Sequence, residues 1–474
     1  MADGIVSLVM AAGKGTRMAS DRPKVLHEIA GEPILGFVLA QLDDLRSRGI
    51  LARAISIVGH GADEVRAYLS DSWPWTEAVE QAPQLGTGHA VMQAAPALTG
   101  FSGDVLIVNG DVPLLEASLI EALVDEHKAR GARLTFLTCN HPRPHGLGRI
   151  LRDGAGRVRA IVEHRDATPE QRDIREINVG VYLAHWPTLW DALGTIGTAN
   201  DQGEYYLTDA IAKLVSGGHA IATVTTEDYV ALGGINTRAE LVATAAEWRV
   251  RRGAYWLSRQ VTVEDPATAF IGPRVTIGPD TVVEPFVQLY GHSQVGSQCV
   301  IGSHTRLVDS LVGDSAIVRS SDIVSCEIGD RTTVGPFARL RDHAVVGRDA
   351  RIGNFVELKK VNFGDGAKAA HLTYLGDAEV GDKANIGCGT VTCNYDGERK
   401  HRTTIGAGAF IGTNNTLVAP VEIGQDAYTG AGSTITEDVP AGALALGRAH
   451  QVVKEGWVAR RRAMRAADKQ RSEA

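Results

Sequence analysis

The sequence is poor in cysteine and in aromatic residues, and it has no long uninterrupted apolar run. Its five cysteines are scattered without paired C-x-x-C spacing, which argues against a disulfide framework or a zinc site and predicts reduced thiols. No apolar stretch approaches the about 20 residues of a membrane span. The N-terminus leads into an apolar segment without the basic region of a signal peptide. We therefore expect a soluble cytoplasmic protein without a membrane partner.

An excess of positive charge is also lacking. The 474 residues carry a formal net charge of −8 at pH 7, whereas nucleic-acid binding needs clustered lysine and arginine to neutralise phosphates. We therefore expect no nucleic-acid partner. The length exceeds that of a usual single core and predicts two or more domains. Glycine, in contrast, is abundant: 53 of the 474 residues are about 11% of the chain, against a norm of about 7%.

The glycines concentrate in a stretch from Ile271 to about Val439, in which an aliphatic residue returns at every sixth position. A period of six fits neither an amphipathic helix nor simple strand alternation. It predicts short strands joined by corners, three sides to a turn, that stack into a parallel β-helix. The in-phase runs are Ile271, Ile277, Val283, Leu289, Val295, Ile301 and Leu307; then Ile328, Val334, Leu340, Val346, Ile352 and Leu358; then Ile405, Ile411, Leu417 and Ile423.

The N-terminal half alternates strand-like and helix-like segments, which predicts a Rossmann-like, mostly parallel α/β sheet with helices on both faces. The segment from Ile5 to Met10 ends in the turn A-A-G-K-G-T-R-M, whose glycines and cations can cradle phosphate. Asp111 follows the apolar segment from Val105 to Val108. There it could hold a divalent cation against phosphate oxygens or merely cap the next helix. Asn236 offers a neutral oxygen that could complete the metal shell.

The string L-x-M-A-A-G-K-G-T-R-M followed by Pro23-Lys24 resembles the signature of the sugar-1-phosphate nucleotidyltransferases. With the later motifs, nearly the whole chain resembles one family, the bacterial bifunctional N-acetylglucosamine-1-phosphate uridyltransferase and glucosamine-1-phosphate acetyltransferase. The resemblance implies contacts to UTP and to the amino sugar, and a Mg²⁺ site. The implied residues are Gly13, Lys14, Gly15, Arg17, Lys24, Gln81, Gly86 and Thr87 for the nucleotide, Gly148, Glu163 and Asn178 for the sugar, and Asp111 and Asn236 for Mg²⁺. Asn236 is implied as a substrate contact as well.

Two positions depart from the family's pattern. The family often has Asn-Thr-Gly where this chain has Asn178-Val179-Gly180, and Asn-Asn where it has Asn236-Thr237. Both departures leave the proposed contact residue in place. The reaction that the resemblance implies is an in-line attack of N-acetylglucosamine 1-phosphate on the α-phosphorus of UTP, with release of pyrophosphate. Positive groups in the turn and Mg²⁺ would neutralise the charge on the phosphoryl oxygens.

Three irregular places in the repeat indicate where function is added: Phe337 to Arg341, Glu357 to Asp377, and Asn385 to Arg402. His371 is the candidate general base, because an imidazole can take a proton from an amine that attacks a thioester. A histidine at a coil corner can also be purely structural. Other side chains in these places suit glucosamine 1-phosphate, with Arg341 and Lys359 for its phosphate and Tyr374 and Asn385 for its ring.

The string H-L-T-Y-L-G-D, with N-Y-D-G beyond it, resembles the acetyltransferase half of the same family. The resemblance implies a homotrimer in which neighbouring subunits complete the acetyl-CoA site. Cys388 and Thr413 stand where the family commonly has Ala and Ser. Direct transfer to the amine needs no nucleophilic side chain, so we interpret Cys388 as a packing variant. The implied roles are base for His371, sugar-phosphate contacts for Arg341, Lys359, Tyr374 and Asn385, and acetyl-CoA contacts for Cys388, Asn394, Tyr395, Thr413, Ala431 and Arg448.

Four segments are expected: a uridyltransferase domain over 1–236, a linker helix within 237–258, a left-handed β-helix acetyltransferase domain over 259–450, and a basic tail over 451–474. The linker helix is predicted to begin at a capping box at Thr237 and to end near Arg252. Two alternatives remain at this point. One is a nucleotidyltransferase whose β-helix is a non-catalytic scaffold. The other is a zinc lyase of the carbonic-anhydrase type, although the histidines show no clear ligand spacing.

Overall fold

The computed structural model describes residues 4–144, 146–199 and 203–472. The predicted start of the first domain at residue 1 and the end of the tail at residue 474 lie outside the described residues. The chain divides into two compact units. One comprises residues 1–295 with 306–309, and the other comprises residues 296–305 with 310–474. Each unit holds one part of the hexad repeat.

The first unit is built on a mostly parallel sheet, as predicted. Strand Glu176–His185 is antiparallel to both of its neighbours in this sheet, and the short strands Arg149–Arg152 and Val158–Val162 form an antiparallel extension beside it. In spatial order the main strands are Ile221–Thr226, Leu134–Asn140, Glu176–His185, Asp104–Asn109, Ile5–Ala11, Leu51–Val58 and Thr76–Glu80. A separate pair of two-residue strands is formed by Glu28–Ile29 and Glu32–Pro33.

Helices cover both faces of this sheet, because successive side chains of a strand point to opposite faces. In the first strand, Val9 belongs to one buried core and Leu8 to the other. The prediction of helices on both faces is thus confirmed, since residues of helix Ile34–Ser47 belong to the first core and residues of helix Leu207–Ser216 to the second. The α-helices of the unit before the linker are Ile34–Ser47, Ala62–Ser72, Thr87–Met92, Ala117–Arg130, Pro169–Arg172, Trp186–Leu193 and Leu207–Ser216, and 3₁₀ turns occur at Thr16–Met18, Lys24–Leu26 and Pro96–Leu98.

The linker helix begins as predicted but ends later. Its bounds are Arg238–Leu257, and Thr237 is its N-cap. The Thr237 side chain accepts a hydrogen bond from the backbone N–H of Glu240 at 3.2 Å, while the Glu240 carboxylate accepts one from the N–H of Thr237 at 2.9 Å. The end predicted near Arg252 is wrong by about one and a half turns of helix. The helix continues because Trp256, only 4% exposed, adds a further buried anchor.

The hexad stretch forms the predicted left-handed parallel β-helix. Short strands pair in parallel with the third strand that follows, as Phe270–Ile271 does with Gln288–Tyr290 in the first unit and Val300–Ile301 with Ile317–Val318 in the second. All of the predicted inward aliphatic residues are buried. The strands of the first unit are Thr262–Val263, Phe270–Ile271, Thr276–Ile277, Val282–Val283, Gln288–Tyr290, Gln294–Val295 and Arg306–Val308.

The second unit continues this architecture and ends in an exposed helix, Trp457–Ser472. None of the helices in the described part of the chain combines the length and apolar composition that a bilayer crossing requires. The strands of this unit are Val300–Ile301, Leu311–Val312, Ile317–Val318, Asp322–Val324, Glu327–Ile328, Thr333–Val334, Arg339–Arg341, Val345–Val346, Arg351–Phe363, Lys368–Val380, Asn385–Ile386, Val391–Cys393, Thr403–Ile405, Phe410–Ile411, Thr416–Val418, Val421–Ile423, Tyr428–Thr429, Thr434–Ile435 and Leu444–Ala445.

The phase slips in the sequence correspond to sides of the coil that are one residue shorter. Val318, Ile323 and Ile328 are all buried although they are five residues apart, so the chain keeps an inward residue on each side while the period changes. The break before the run that begins at Ile405 has a further cause, because residues 394–402 leave the coil as a largely exposed loop. This loop belongs to the third irregular place of the repeat, Asn385 to Arg402.

Candidate active sites

The glycine-rich turn after strand Ile5–Ala11 lies where the carboxyl ends of parallel strands open onto a cavity, the usual place for a ligand in such sheets. Gly15 has a φ of +59°, and a Cβ on it would lie 2.7 Å from Cβ of Lys24. Glycine at this position therefore lets the turn approach Lys24 closely. Lys14 and Arg17 are exposed on the same turn and line the cavity.

Three of the predicted residues meet at one point of this cavity. The ammonium of Lys24 donates a hydrogen bond to Oδ2 of Asp111 at 2.5 Å and another to Oδ1 of Asn236 at 3.1 Å. Asn236 Nδ2 donates to the carbonyl of Gly234 at 3.2 Å, which fixes the amide oxygen toward Lys24. The backbone N–H of Ile235 donates to the carbonyl of Asp111 at 3.0 Å, so the two loops are held together.

The geometry fits a divalent cation at this point. Asp111 and Asn236 already converge on one cationic atom, and carboxylate and amide oxygens are ligands that hard divalent cations prefer. Within residues 4–144, 146–199 and 203–472 no group of three or more His, Cys, Asp and Glu side chains could hold a metal ion. A cation here would therefore depend on substrate phosphates and water for its other ligands, as is usual for Mg²⁺.

The three residues predicted to contact the sugar form a second cluster. The backbone N–H of Asn178 donates to the carbonyl of Gly148 at 2.9 Å, and a Cβ on Gly148 would lie 3.5 Å from the Glu163 carboxylate. Burial raises the pKa of Glu163, although Thr208 donates a hydrogen bond to its carboxylate at 3.2 Å. Asn178 Nδ2 donates to the hydroxyl of Tyr182 at 2.6 Å, and burial raises the pKa of that phenol.

A third cluster lies at the start of helix Thr87–Met92. Gln81, only 3% exposed, donates from Nε2 to the carbonyl of Gly86 at 2.9 Å. Gly86 has a φ of +103°, and a Cβ on it would lie 2.6 Å from the carbonyl of Tyr205. The Thr87 hydroxyl accepts from the backbone N–H of Leu207 at 3.1 Å. The turn is thus locked to the segment before helix Leu207–Ser216.

All of the predicted N-terminal site residues line one cavity of about 920 Å³. That volume suits a substrate larger than one sugar, since ligand pockets usually span about 300–1,000 Å³. Val179, one of the two departures, also lines this cavity. Thr237, the other departure, is the helix N-cap described above and serves the fold.

Sequence reasoning missed several residues of this site. Asn109 lines the cavity. The side-chain amide of Asn109 can approach the backbone of Gly180 because glycine has no Cβ; a Cβ there would lie 2.5 Å from Asn109 Nδ2. His141 and Tyr229 also line the cavity, with their rings packed edge to face at 4.9 Å. The position of Asn109 at the carboxyl end of a buried strand was a usable signal, but the other two residues carry none in the sequence.

Arg149 is the most consequential omission. Its side chain is 1% exposed, and burial lowers the pKa of its guanidinium. It donates hydrogen bonds to the carbonyl of Leu147 and, from Nε at 3.3 Å and Nη2 at 3.2 Å, to that of Arg172. It therefore fixes the loop that carries Gly148.

The predicted residues of the second unit lie on adjacent coils. Arg341 and Lys359 are in register on neighbouring strands. Arg341 Nε donates to the Glu357 carboxylate at 2.8 Å, and Oδ2 of Asp377 accepts from Lys359 Nζ at 3.4 Å and from Asn394 Nδ2 at 2.6 Å. Asp377 thereby links a predicted phosphate ligand to a predicted acetyl-CoA ligand, a role that residue type alone does not indicate.

Lys400, on the loop of residues 394–402, was also missed. Its ammonium lies beside that of Lys359, and this neighbour lowers the pKa of Lys400. Two adjacent ammonium groups repel each other unless an anion lies between them. The loop thus adds a third cation to the position that Arg341 and Lys359 occupy, and the site suits a phosphate ester.

A column of corner residues runs along one edge of the coil. Ile386 pairs with Ile411 and Ile411 with Thr429. The predicted acetyl-CoA residues Cys388, Thr413 and Ala431 each lie two positions after one of these, so they stack on consecutive coils. The backbone N–H of Asn414 donates to the carbonyl of Cys388 at 2.7 Å, and that of Gly432 to the carbonyl of Thr413 at 2.8 Å.

His371 belongs to the same column, one coil before Cys388, because Ala369 pairs with Ile386. Its imidazole is exposed. Tyr374 is three residues further on the same strand, and Asn385 pairs with Lys368 of that strand.

Two predicted acetyl-CoA residues, Tyr395 and Arg448, lie outside this column. Tyr395 is 60% exposed, and its hydroxyl donates to the carbonyl of Gly397 at 2.5 Å rather than to another predicted residue. Arg448 is exposed just after the last strand, Leu444–Ala445. Both side chains are available to a ligand or to a neighbouring molecule.

Comparison with known proteins identifies the family. The MobA-like NTP transferase domain matches residues 7–178, the GMPPB C-terminal domain residues 252–363, and the bacterial transferase hexapeptide (six repeats) residues 402–437. The "Bifunctional protein GlmU" of Koribacter versatilis is 45% identical over 459 residues, which cover 96% of this chain and 97% of that protein. The proteins of the same name from Exiguobacterium sp. and Heliobacterium modesticaldum are 44% and 45% identical, each over 96% of this chain and over 99% and 98% of their own lengths.

The chain belongs to the GlmU family. Membership confirms the resemblance stated from the sequence and the prediction of a bifunctional uridyltransferase and acetyltransferase. It also supports small-molecule substrates of the nucleotide-sugar class together with a divalent metal. The scaffold and zinc-lyase alternatives lose their support, because the GlmU relatives cover both halves of the chain and are bifunctional.

The positioning of the Gly148 loop by Arg149 can be tested by substitution. Arg149→Met removes the hydrogen bonds that fix the loop of Gly148, so the uridyltransferase kcat/KM falls about tenfold, mainly through KM for the sugar phosphate. Pyrophosphate release at varied N-acetylglucosamine 1-phosphate measures this. Arg157→Met, on the neighbouring turn with an 81% exposed side chain, is the matched control and leaves KM unchanged. An unaltered KM in Arg149→Met would contradict the positioning role.

Proposed function

We propose that this chain makes UDP-N-acetylglucosamine in two reactions at two sites. The second unit transfers acetyl from acetyl-CoA to glucosamine 1-phosphate, and the first unit couples the product to UMP from UTP. Two observations support the proposal. The predicted residues of the first unit all line one cavity, and His371, Cys388, Thr413 and Ala431 of the second unit share one corner column, while Arg341 and Lys359 are in register on neighbouring coils. The predicted domains, 1–236 and 259–450, carry one site each.

In the uridyl transfer, a phosphate oxygen of N-acetylglucosamine 1-phosphate attacks the α-phosphorus of UTP, and pyrophosphate leaves. No nucleophilic side chain takes part. Lys14, Arg17 and Lys24, together with the N–H groups of the turn, neutralise the charge that grows on the phosphoryl oxygens. Mg²⁺, held by Asp111 and Asn236, would add Lewis-acid stabilisation of the same charge. Lys24, which contacts both of these residues, keeps them in place around the phosphates.

The other two clusters of the cavity hold the ends of the substrates. Gly13, Gly15, Gln81, Gly86 and Thr87 surround the nucleotide. Gln81 Nε2 is engaged by Gly86, which leaves its amide oxygen for a donor such as the imide N–H of uracil. The remaining set, Gly148, Glu163 and Asn178, surrounds the amino sugar, where hydroxyl and amide groups require neighbouring donors and acceptors.

In the acetyl transfer, the amine of glucosamine 1-phosphate attacks the thioester carbonyl, a C–N bond forms, and the C–S bond breaks to release CoA. His371 takes the proton of the amine as general base. Arg341, Lys359 and Lys400 bind the phosphate. The sugar ring lies against Tyr374 and Asn385. The acetyl-CoA site comprises Cys388, Asn394, Tyr395, Thr413, Ala431 and Arg448.

The active assembly is a homotrimer, and an exposed apolar ridge beside His371 supports this. The ridge consists of Phe337, Phe355 and Leu372, which are 59%, 55% and 58% exposed. Phe337 and Phe355 stack at 5.4 Å, and all three lie at corners with positive φ. Exposed apolar patches mark interaction surfaces. A neighbouring copy of the chain would cover this ridge and enclose the acetyl-CoA site.

A cytoplasmic location is part of the proposal. All five cysteines are free, as is typical of proteins in a reducing compartment, and both co-substrates, UTP and acetyl-CoA, are metabolites of that compartment.

The first experiment separates the two sites. His371→Ala lowers release of the CoA thiol by about 10²–10⁴-fold, the usual contribution of a general base, and leaves pyrophosphate release intact. Asp111→Ala abolishes pyrophosphate release, measured with UTP, Mg²⁺ and N-acetylglucosamine 1-phosphate, and leaves acetyl transfer intact. Each variant is the folding control for the other. Pyrophosphate release without any thiol release by the unmodified chain would reduce the β-helix to a scaffold.

The packing interpretation of Cys388 is tested separately. Cys388→Ala changes the rate of acetyl transfer by no more than about twofold, because the transfer to the amine is direct and no thiol carries the acetyl group. Cys393→Ala, at an exposed position of the next strand, serves as the control for general effects of thiol removal. A loss of a hundredfold or more in Cys388→Ala alone would indicate a covalent acetyl-enzyme.

The trimer is tested at the ridge. Phe355→Asp places a charge on the surface that a neighbouring copy would bury, and burial of an unpaired charge is costly. We expect sedimentation velocity to show monomers and the rate of acetyl transfer to fall at least tenfold, while uridyl transfer is retained. Val242→Asp, at a 68% exposed apolar position of the linker helix, is the control. A trimer that survives Phe355→Asp would exclude this ridge from the interface.

A further inference from the structure

The histidine of the second site has a partner that sequence reasoning did not find. Nδ1 of His371 lies 2.7 Å from Oδ1 of Asn354. The two residues are direct register partners on the parallel strands Arg351–Phe363 and Lys368–Val380. An amide oxygen only accepts hydrogen bonds. Nδ1 must therefore carry the proton, and the lone pair of the neutral imidazole lies on Nε2.

The backbones of the two strands approach each other closely beside Asn354 and His371. A Cβ on Gly353 would lie 1.8 Å from the carbonyl oxygen of Ala370, so a residue with a side chain would push the two strands apart just before the pair. The chain then turns sharply after each partner, because Phe355 and Leu372 both have positive φ. Thr373, only 3% exposed, donates from its hydroxyl to the backbone carbonyl of His371 at 2.8 Å. Both side chains are thus aimed by a rigid corner.

We propose that Asn354 is a positioning residue for acetyl transfer, which fixes the tautomer and orientation of His371 so that Nε2 faces the amine. The proposal rests on the role of His371 as general base. Nε2 accepts the proton of the amine, and Nδ1–H remains hydrogen-bonded to Asn354 throughout. An amide, unlike a carboxylate, holds the ring in place without adding a negative charge beside it.

The charged surroundings of the pair allow a test through pH dependence. The charged and titratable groups on the packed elements are Arg351, Glu357, Lys359 and Lys360 on the strand of Asn354, Lys368, Tyr374, Asp377 and Glu379 on that of His371, Arg339 and Arg341 in the preceding coil, and Cys388 in the next. The Glu357 carboxylate is paired with Arg341 at 2.8 Å. In the described ranges no acidic side chain forms an ion pair with His371. A carboxylate at position 354 would therefore be a new charge beside the ring.

The experiment compares Asn354→Asp, Asn354→Ala and His371→Ala in the full-length chain, with thiol release followed from about pH 5 to 9. Asn354→Asp is nearly isosteric and stabilises the imidazolium, so the acid limb of the acetyl-transfer profile moves about one pH unit upward. Asn354→Ala lowers kcat about 10- to 100-fold with little change in either KM, because orientation and tautomer are lost while the substrates still bind. Asn362→Asp, at an exposed position of the same strand, leaves the profile unmoved. Uridyl transfer by the same samples reports folding.

The outcomes separate the inference from the function on which it rests. Acetyl transfer that survives in His371→Ala would remove the base and with it the proposed function. Activity lost in His371→Ala, with Asn354→Ala fully active, would overturn the inference alone. An unshifted acid limb in Asn354→Asp would also overturn it. If Asn354→Ala does not fold, the decision rests on Asn354→Asp, which keeps the shape of the side chain.

Discussion

The parallel register between consecutive coils is the constraint on which the second unit depends. Each coil offers one inward residue on each of three sides, and the backbone ladder fixes which residue lies above which. Because Ile352 pairs with Ala369 and Ala369 with Ile386, the residues two positions later, Asn354, His371 and Cys388, must share one corner. Packing of aliphatic side chains in the interior thus decides the placement of polar side chains on the outside.

In the first unit, polar residues are brought together in a different way. Its polar residues come from loops that follow different strands of the sheet, and they meet because those strands end at one edge. Lys24 is central to this arrangement. It neutralises Asp111 and holds the Asn236 amide, so two loops that are distant in sequence are held together.

Much of this could be predicted from the sequence, for physical reasons that differ between the two halves. The hexad spacing is local and repeated, so Ile271 and Leu340 could be recognised as interior residues before any contact was known. The sugar-phosphate and nucleotide residues were found through resemblance, and those of the first unit all line the cavity. Arg149, Asn354 and Asp377 were missed because each acts through contacts with residues 17 or more positions away, and residue type carries no trace of such contacts. The end of the linker helix was also misjudged, since Trp256 becomes an anchor only through tertiary packing.

The loop of residues 394–402 has an evolutionary consequence. A change of one residue is absorbed within a side of the coil, as the five-residue steps from Val318 to Ile323 and Ile328 show, because all three residues stay buried. An insertion that leaves and re-enters at a corner costs little, because the entropy of closing a surface loop grows only slowly with its length. This chain carries such an insertion beside Lys359, where it delivers Lys400. Corners are therefore the places at which a fold of this kind can acquire new ligand contacts while its interior remains unchanged.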